Sequence, residues 1–238
     1  MFVKSIQLAQ KAIFPIFRFE RLSDSKTNIG VAGTGFFVNQ NGYFITVAHV
    51  FDASNKNTSY KFWGHLPDKI RNPNIEIVEV ARDDSYDIVV GRVSLNNTDF
   101  FYLDTDVPLI GHSVCISGYP MSKISPNNKG GLELGGVRRY FQPSFVLDKV
   151  MTDIDNGKGL KRRHKGFLVR DVGLFGMSGG PVFDIKGRVI GIQASVTDPR
   201  VSSNGTRSIT VENAIAIQSS LIEDLLNKHK IKYFKIKS

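Results

Sequence analysis

The chain has 238 residues, 41% of them hydrophobic and 22% charged, which excludes a largely disordered protein and leaves enough apolar material for a core without staples. Its single cysteine excludes an internal disulfide framework, and no stretch is long and apolar enough to read as a transmembrane helix. The formal charge of +9 gathers in residues 158–165 and in the C-terminal tail, with no nucleic-acid motif around it, so both segments are read as solvated faces and a nucleic-acid partner is not expected.

The first residues do not form a signal peptide, because Gln7, Gln10, Lys11 and Pro15 interrupt the apolar run and no small-residue cleavage site follows. The expected location is therefore the cytoplasm. From there the sequence is built of short β-branched and aromatic runs between turn signals, which predicts an all-β protein. Strands are expected over residues 12–19, 31–38, 43–47, 60–64, 75–82 and 88–93. Pro15 assigns the first of these to an edge or irregular position, and Asn41-Gly42 joins the second and third as a hairpin.

A break near residues 107–111 precedes a second group of strands, over 113–118, 140–147, 167–170, 181–183, 188–196 and 208–217. Cys115, within Val114-Cys115-Ile116, is expected as a buried small hydrophobe. Two long polar loops, 121–136 and 153–165, interrupt this group. The last element is a helix: Ser220-Leu221-Ile222-Glu223 has the capping-box spacing, with Ser220 as N-cap and Glu223 reaching back. Leu221, Ile222, Leu225 and Leu226 give this helix one apolar face, expected to dock on the second strand group.

Three short segments carry candidate chemistry. In Gly176-Met177-Ser178-Gly179-Gly180-Pro181 the glycines allow a sharp turn in which the N–H groups of Gly176 and Ser178 converge as an oxyanion hole beside the Ser178 hydroxyl. A serine needs a base to become a nucleophile. His49 follows the apolar strand before Ala48, and Asp87 stands between a polar turn and the apolar Ile88-Val89-Val90. Each alone has a bland account as a glycine turn, a core histidine or a turn aspartate. Together they follow the chain order His, Asp, Ser of one class of triad enzyme, with His49 as base, Asp87 as its orienting carboxylate and Ser178 as nucleophile.

The same segments resemble an HtrA-like (DegP-like) trypsin-like serine peptidase domain: Gly33-Thr34-Gly35-Phe36-Phe37-Val38, Ala48-His49-Val50, Tyr86-Asp87-Ile88-Val89-Val90, Gly118-Tyr119-Pro120, Gly176–Pro181 and Gly187–Ile192. The resemblance spans most of the chain. It implies the chymotrypsin fold, two packed antiparallel β-barrels with a C-terminal helix. Residues 1–108 would form the barrel carrying His49 and Asp87, and 109–238 the barrel carrying Ser178, together one peptidase domain.

It further implies a serine endopeptidase acting on proteins or peptides; as a departure from regulated members of that family, no PDZ domain is expected after the last helix, and the expected cytoplasmic location predicts restraint by substrate selection or by an activating protein partner. Activation by a freed N-terminus is not expected, because position 177 is Met rather than an aspartate. The primary pocket would be walled by Val172, Gly173, Leu174 and Phe175 and by Gln193, Ala194 and Ser195, with Val172 at its base, which predicts cleavage after small or medium apolar residues. The competing reading is a catalytically idle peptide-binding module of the same fold. The five histidines show no paired spacing for a metal, no dinucleotide or phosphate-loop motif occurs, and no cofactor is expected.

Overall fold

A computed structural model describes residues 1–23, 26–52, 60–66, 74–126, 132–155, 161–197, 200–201, 209–210 and 213–236. After a short helix, α1 (Val3–Ala12), the chain forms β1 (Ile13–Ser23), β2 (Lys26–Phe37), β3 (Tyr43–Val47), β4 (Tyr60–His65), β5 (Asn74–Asp83) and β6 (Ile88–Val93). These close into an antiparallel barrel in the order β1-β2-β3-β6-β5-β4. Pro15 sits within β1 without breaking it: its residue pairs with Thr34 of β2, while pairing to β4 begins only at Ile16. The missing N–H therefore leaves no ladder bond unmade on that side. The barrel is filled by rings, with Phe14 4.8 Å from Phe37 and 5.1 Å from Phe44. Gly91 makes room for them, since a Cβ there would lie 2.2 Å from the Phe44 ring.

The second barrel follows the linker of residues 94–112. Its strands are β7 (Ser113–Gly118), β8 (Lys123–Pro126), β9 (Leu132–Gly135), β10 (Tyr140–Asp155), β11 (Lys161–Val169), β12 (Pro181–Asp184), β13 (Val189–Val196), β14 (Arg200–Val201), β15 (Ile209–Thr210) and β16 (Ala214–Gln218). Closure runs β10-β11-β16-β13-β12-β7, with β8-β9 and β14-β15 as separate small pairs. Cys115 is fully buried here and burial pushes its thiol up to about 12, as befits an inert core residue.

Four expectations are corrected. The segment 121–136 is not a plain loop, since residues 123–126 and 132–135 pair as β8 and β9. The segment 153–165 is not a loop: residues 153–155 and 161–165 extend β10 and β11 into a long antiparallel arm, paired from Val146–Val169 out to Asp155–Lys161. Its charged run alternates between exposed Lys161, Arg163 and Lys165 and buried Arg162 and His164, a strand pattern hidden by uniform charge. The capping box does not form. The last helix, α2 (Ser219–Lys228), has Gln218 as N-cap, Ser220 Oγ accepts from Gln218 Nε2 at 2.7 Å, and Glu223 turns away to accept from Tyr233 Oη at 2.6 Å.

Nor is the C-terminal tail merely solvated. Phe234 stacks on Phe100 of the linker at 4.8 Å, and Leu103 N–H donates to Phe234 O at 2.9 Å. The tail thus straps the linker. The helix α2 meets strands of both barrels, and its Leu221, Ile222, Leu225 and Leu226 join a core cluster continuous with the interior of the first barrel.

Phe183 of β12 stands at the meeting point of these layers, 6.3 Å from Phe2 and 5.8 Å from Phe101. It is fully buried. Phe183→Ala is expected to lower the unfolding free energy by about 3–5 kcal/mol, read from urea denaturation, because three separate segments lose one shared ring.

Candidate active site

The strand β3 ends at Val47 and the chain turns at once into a 3₁₀ segment, Ala48–Phe51, which carries His49. Asp87 closes the turn before β6 with φ of 60°, a left-handed conformation that aspartate tolerates better than most side-chain-bearing residues. In that conformation it grips the 3₁₀ segment through three groups. Its carbonyl accepts from Ala48 N–H at 3.1 Å, Oδ1 accepts from His49 N–H at 2.9 Å, and Oδ2 lies 2.7 Å from His49 Nδ1. A carboxylate can only accept, so Nδ1 carries the proton and Nε2 is left as the base.

Two residues missed by sequence reasoning complete the surroundings of Asp87. Arg162 Nη1 lies 3.0 Å from Oδ1, and His164 Nε2 lies 3.4 Å from Oδ2. Both come from the buried face of β11, with 3% and 2% of their surface exposed. Period-two alternation within residues 161–166 was the one available signal. Burial pushes the Asp87 carboxyl upward, but hydrogen bonds from His164 and His49 and the charges of His49 and Arg162 outweigh it and hold the group well below the ordinary carboxylate range. Arg162 is itself held by Asp52 at 2.8 Å and Asp84 at 3.5 Å, and Arg82 ties the same two carboxylates together at 2.6 and 2.7 Å.

Ser178 is held from the opposite direction. Met177 is fully buried in the core of the second barrel and its N–H donates to Leu174 O at 3.0 Å, which fixes the loop between Gly176 and Gly179. Gly176 has φ of 94°, and Gly179 has φ of 85° in a space where a Cβ would come within 2.3 Å of Thr34 O. Among the described residues, neither Gly176 N–H nor Ser178 N–H has an acceptor. Two unpaired donors beside a serine are what an oxyanion hole requires.

The first barrel locks this loop through Thr34. Its N–H donates to Ser178 O at 2.8 Å, its hydroxyl donates to Gly176 O at 2.8 Å, and that hydroxyl oxygen accepts from Tyr119 N–H at 3.1 Å.

His49 and Asp87 are thus in direct contact, whereas no hydrogen bond among the described residues joins Ser178 Oγ to His49. Such contacts are often long without substrate and tighten on binding. The segments 172–175 and 193–196 approach each other: a Cβ on Gly173 would lie 1.8 Å from Gln193 Nε2 and 3.1 Å from Val196 Cγ1. Gln193 and Ala194 are buried, whereas Val172 and Phe175 are exposed. Leu174 packs against the second-barrel core, and the Ser195 hydroxyl lies 3.1 Å from His164 Nδ1.

Two closed antiparallel barrels with this constellation at their junction define the chymotrypsin-like double-barrel class. The family model for the trypsin-like peptidase domain matches residues 33–192, more than half of the chain, and the chain belongs to that family.

The structure is similar to the active form of the Rv3671c protease from M. tuberculosis, with a TM-score of 0.66 and 18% identity over 97% of this chain and 86% of that one. It is also similar to the HtrA-type protease AlgW with decapeptide, with a TM-score of 0.67 and 17% identity over 97% of this chain and 67% of that one. At these identities the likeness is one of fold. The uncharacterized protein y4bJ of Sinorhizobium fredii (strain NBRC 101917 / NGR234) is 29% identical over 168 residues. That match covers 70% of this chain but only 22% of y4bJ, so this chain spans less than a quarter of that relative.

Two variants test the geometry. The folded-state value of Asp87 lies below its ordinary 3.8, so its contribution to stability is fully present above that pH and is lost as pH falls toward the folded value. Asp87→Asn should therefore lower stability at pH 7 by about 3–5 kcal/mol, as when a buried ionic cluster loses one partner. The gap to the parent should narrow in urea titrations below about pH 4. Thr34→Val strands the Gly176 carbonyl and the Tyr119 N–H, and should lower stability by about 1–3 kcal/mol and slow covalent labelling of Ser178.

Proposed function

We propose that this chain is a serine endopeptidase using Ser178, His49 and Asp87. The observation that carries the reading is the His49–Asp87 hydrogen bond of 2.7 Å on one barrel, together with a Ser178 loop on the other whose Gly176 and Ser178 N–H groups have no acceptor among the described residues. Ser178 Oγ attacks the scissile carbonyl while His49 Nε2 takes its proton, and the oxyanion forms against Gly176 and Ser178 N–H. The protonated imidazole, held by ionised Asp87, then gives its proton to the leaving amine. Water repeats the steps in reverse to free the acyl group.

The substrate backbone is proposed to add as a strand along residues 194–196, because β12 pairs with β13 only as far as Pro181–Ile192, and among the described residues the edge beyond, opposite β16, has no strand partner. The close approach of Gly173 to Gln193 and Val196 favours small side chains on the acyl side of the cut, in keeping with the apolar preference expected from sequence. Restraint by substrate choice or by an activating protein partner belongs to the same proposal.

Ser195, His164 and Asp87 also form a serine–histidine–carboxylate row. Ser195 lies on a strand paired to Ile215 of β16, and the imidazole it meets is buried, whereas Ser178 has the unpaired donors. A fluorophosphonate probe with the adduct located by mass spectrometry separates the readings. An adduct on Ser178 is expected, with Ser178→Ala losing on the order of 10⁶-fold in kcat. An adduct on Ser195 would overturn the assignment, and peptide binding without any adduct would favour the idle module. A peptide library should be cut after small residues; cleavage dominated by Lys and Arg would reject the pocket.

A further inference from the structure

We propose that Arg162 and His164 are positioning residues for the triad, carried onto Asp87 by the β10–β11 arm so that the second barrel holds the catalytic carboxylate of the first. This rests on the peptidase reading above. The two oxygens of Asp87 are shared evenly. Oδ1 takes His49 N–H and Arg162 Nη1, and Oδ2 takes His49 Nδ1 and His164 Nε2. One partner of each oxygen therefore belongs to His49 itself, and the other comes from across the junction. Without the second set, the carboxylate would be buried with only the backbone N–H and imidazole of His49.

The arm is also seated by contacts beyond Asp87. Arg163 N–H donates to Ser85 O at 2.7 Å, two residues before Asp87, and Arg162 Nη2 lies 2.8 Å from Asp52 Oδ2, three residues after His49. The same strand thus touches the turn bearing Asp87 and the segment bearing His49. Through its other ring nitrogen, Nδ1, His164 lies 3.1 Å from the Ser195 hydroxyl. That hydroxyl lies on the strand proposed to receive substrate, so the carboxylate is tied to the substrate-binding strand as well.

Apolar side chains of similar volume would stabilise such a junction as well or better. What these two donors add to those of His49 is further support for a carboxylate kept ionised and fixed in orientation. The charged and titratable groups facing this cluster are His49 from the 3₁₀ segment, Arg162 and His164 from β11, Asp52 and Asp84 on the other side of Arg162, and Arg82 between those two.

The test uses the full chain. In Ser178→Ala protein with carboxyl-¹³C aspartate, the Asp87 resonance is titrated by NMR in the parent, in Arg162→Gln, Arg162→Lys and His164→Asn, and in Arg163→Gln as an exposed neighbour. Arg162→Gln and His164→Asn should move the Asp87 titration up toward the ordinary carboxylate range. Arg162→Lys should recover part of the shift, and Arg163→Gln should leave it in place. In the Ser178 enzyme the first two variants should lower kcat by about 10- to 100-fold, the range seen for outer partners that orient ligands at metal sites. This is less than the roughly 10⁴-fold that follows from altering the triad carboxylate itself. KM should change little.

An unmoved Asp87 resonance with unchanged kcat in folded Arg162→Gln and His164→Asn would overturn the proposal. If Arg162→Gln does not fold, His164→Asn decides it by the same two readouts. A parent that neither labels at Ser178 nor turns over substrate, yet shows the Asp87 shifts, would sink the peptidase reading and leave the anchoring contact standing. Turnover with an unmoved Asp87 would do the reverse.

Discussion

An ionised carboxylate with 1% of its surface exposed has to be surrounded by donors, and the arrangement at the barrel junction follows from that requirement at Asp87. The first barrel alone offers it the N–H and imidazole of His49. The remaining donors, Arg162 and His164, lie on an arm that grows out of the second barrel and reaches back. Burying Arg162 creates the same requirement once removed, and Asp52 and Asp84 meet it. The result is a chain of alternating charge that runs from the histidine segment, through the arm, to the aspartate turn.

The opposite crossing is made without charge. Thr34 of the first barrel bonds the carbonyls of Ser178 and Gly176 in the second, and Gly33 leaves the space for it, since a Cβ there would lie 2.7 Å from Ser178 O. Each barrel thus holds the functional group that the other one carries. Neutral hydrogen bonds hold the serine loop by its carbonyls. Charge-assisted contacts suit the aspartate, which must remain ionised. The buried Met177 side chain adds a third restraint by anchoring the loop to the second-barrel core.

Much of the fold was legible because it is written locally. The expected strands 43–47, 88–93 and 113–118 coincide with β3, β6 and β7, where short, nearly continuous apolar runs end at clear turn residues. The Asn39–Gly42 turn forms as its residues predict, with Asn39 Oδ1 accepting from Asn41 N–H at 2.9 Å. Failures fall where a local pattern had a stronger distant competitor. Ser220 and Glu223 have capping-box spacing, but Glu223 finds Tyr233 and Lys235 in the tail and stabilises that strap instead. Helix α1 carries no cap and a weak pattern; it is held by tertiary contacts such as Phe2 against Phe183.

The sequence by itself determined the family and singled out His49, Asp87 and Ser178 as candidates, because each sits in a backbone turn that constrains its neighbours: small residues and glycines around the serine, a polar turn before the aspartate, a strand end before the histidine. Only the tertiary structure decided which members of the basic run 161–165 face solvent and which face Asp87. It alone also paired Thr34 with a carbonyl 142 positions away. Local conformational preferences leave a trace in neighbouring residues. Hydrogen bonds and ion pairs between distant segments leave none, because a buried arginine and a solvated one are the same letter until the chain has closed around it.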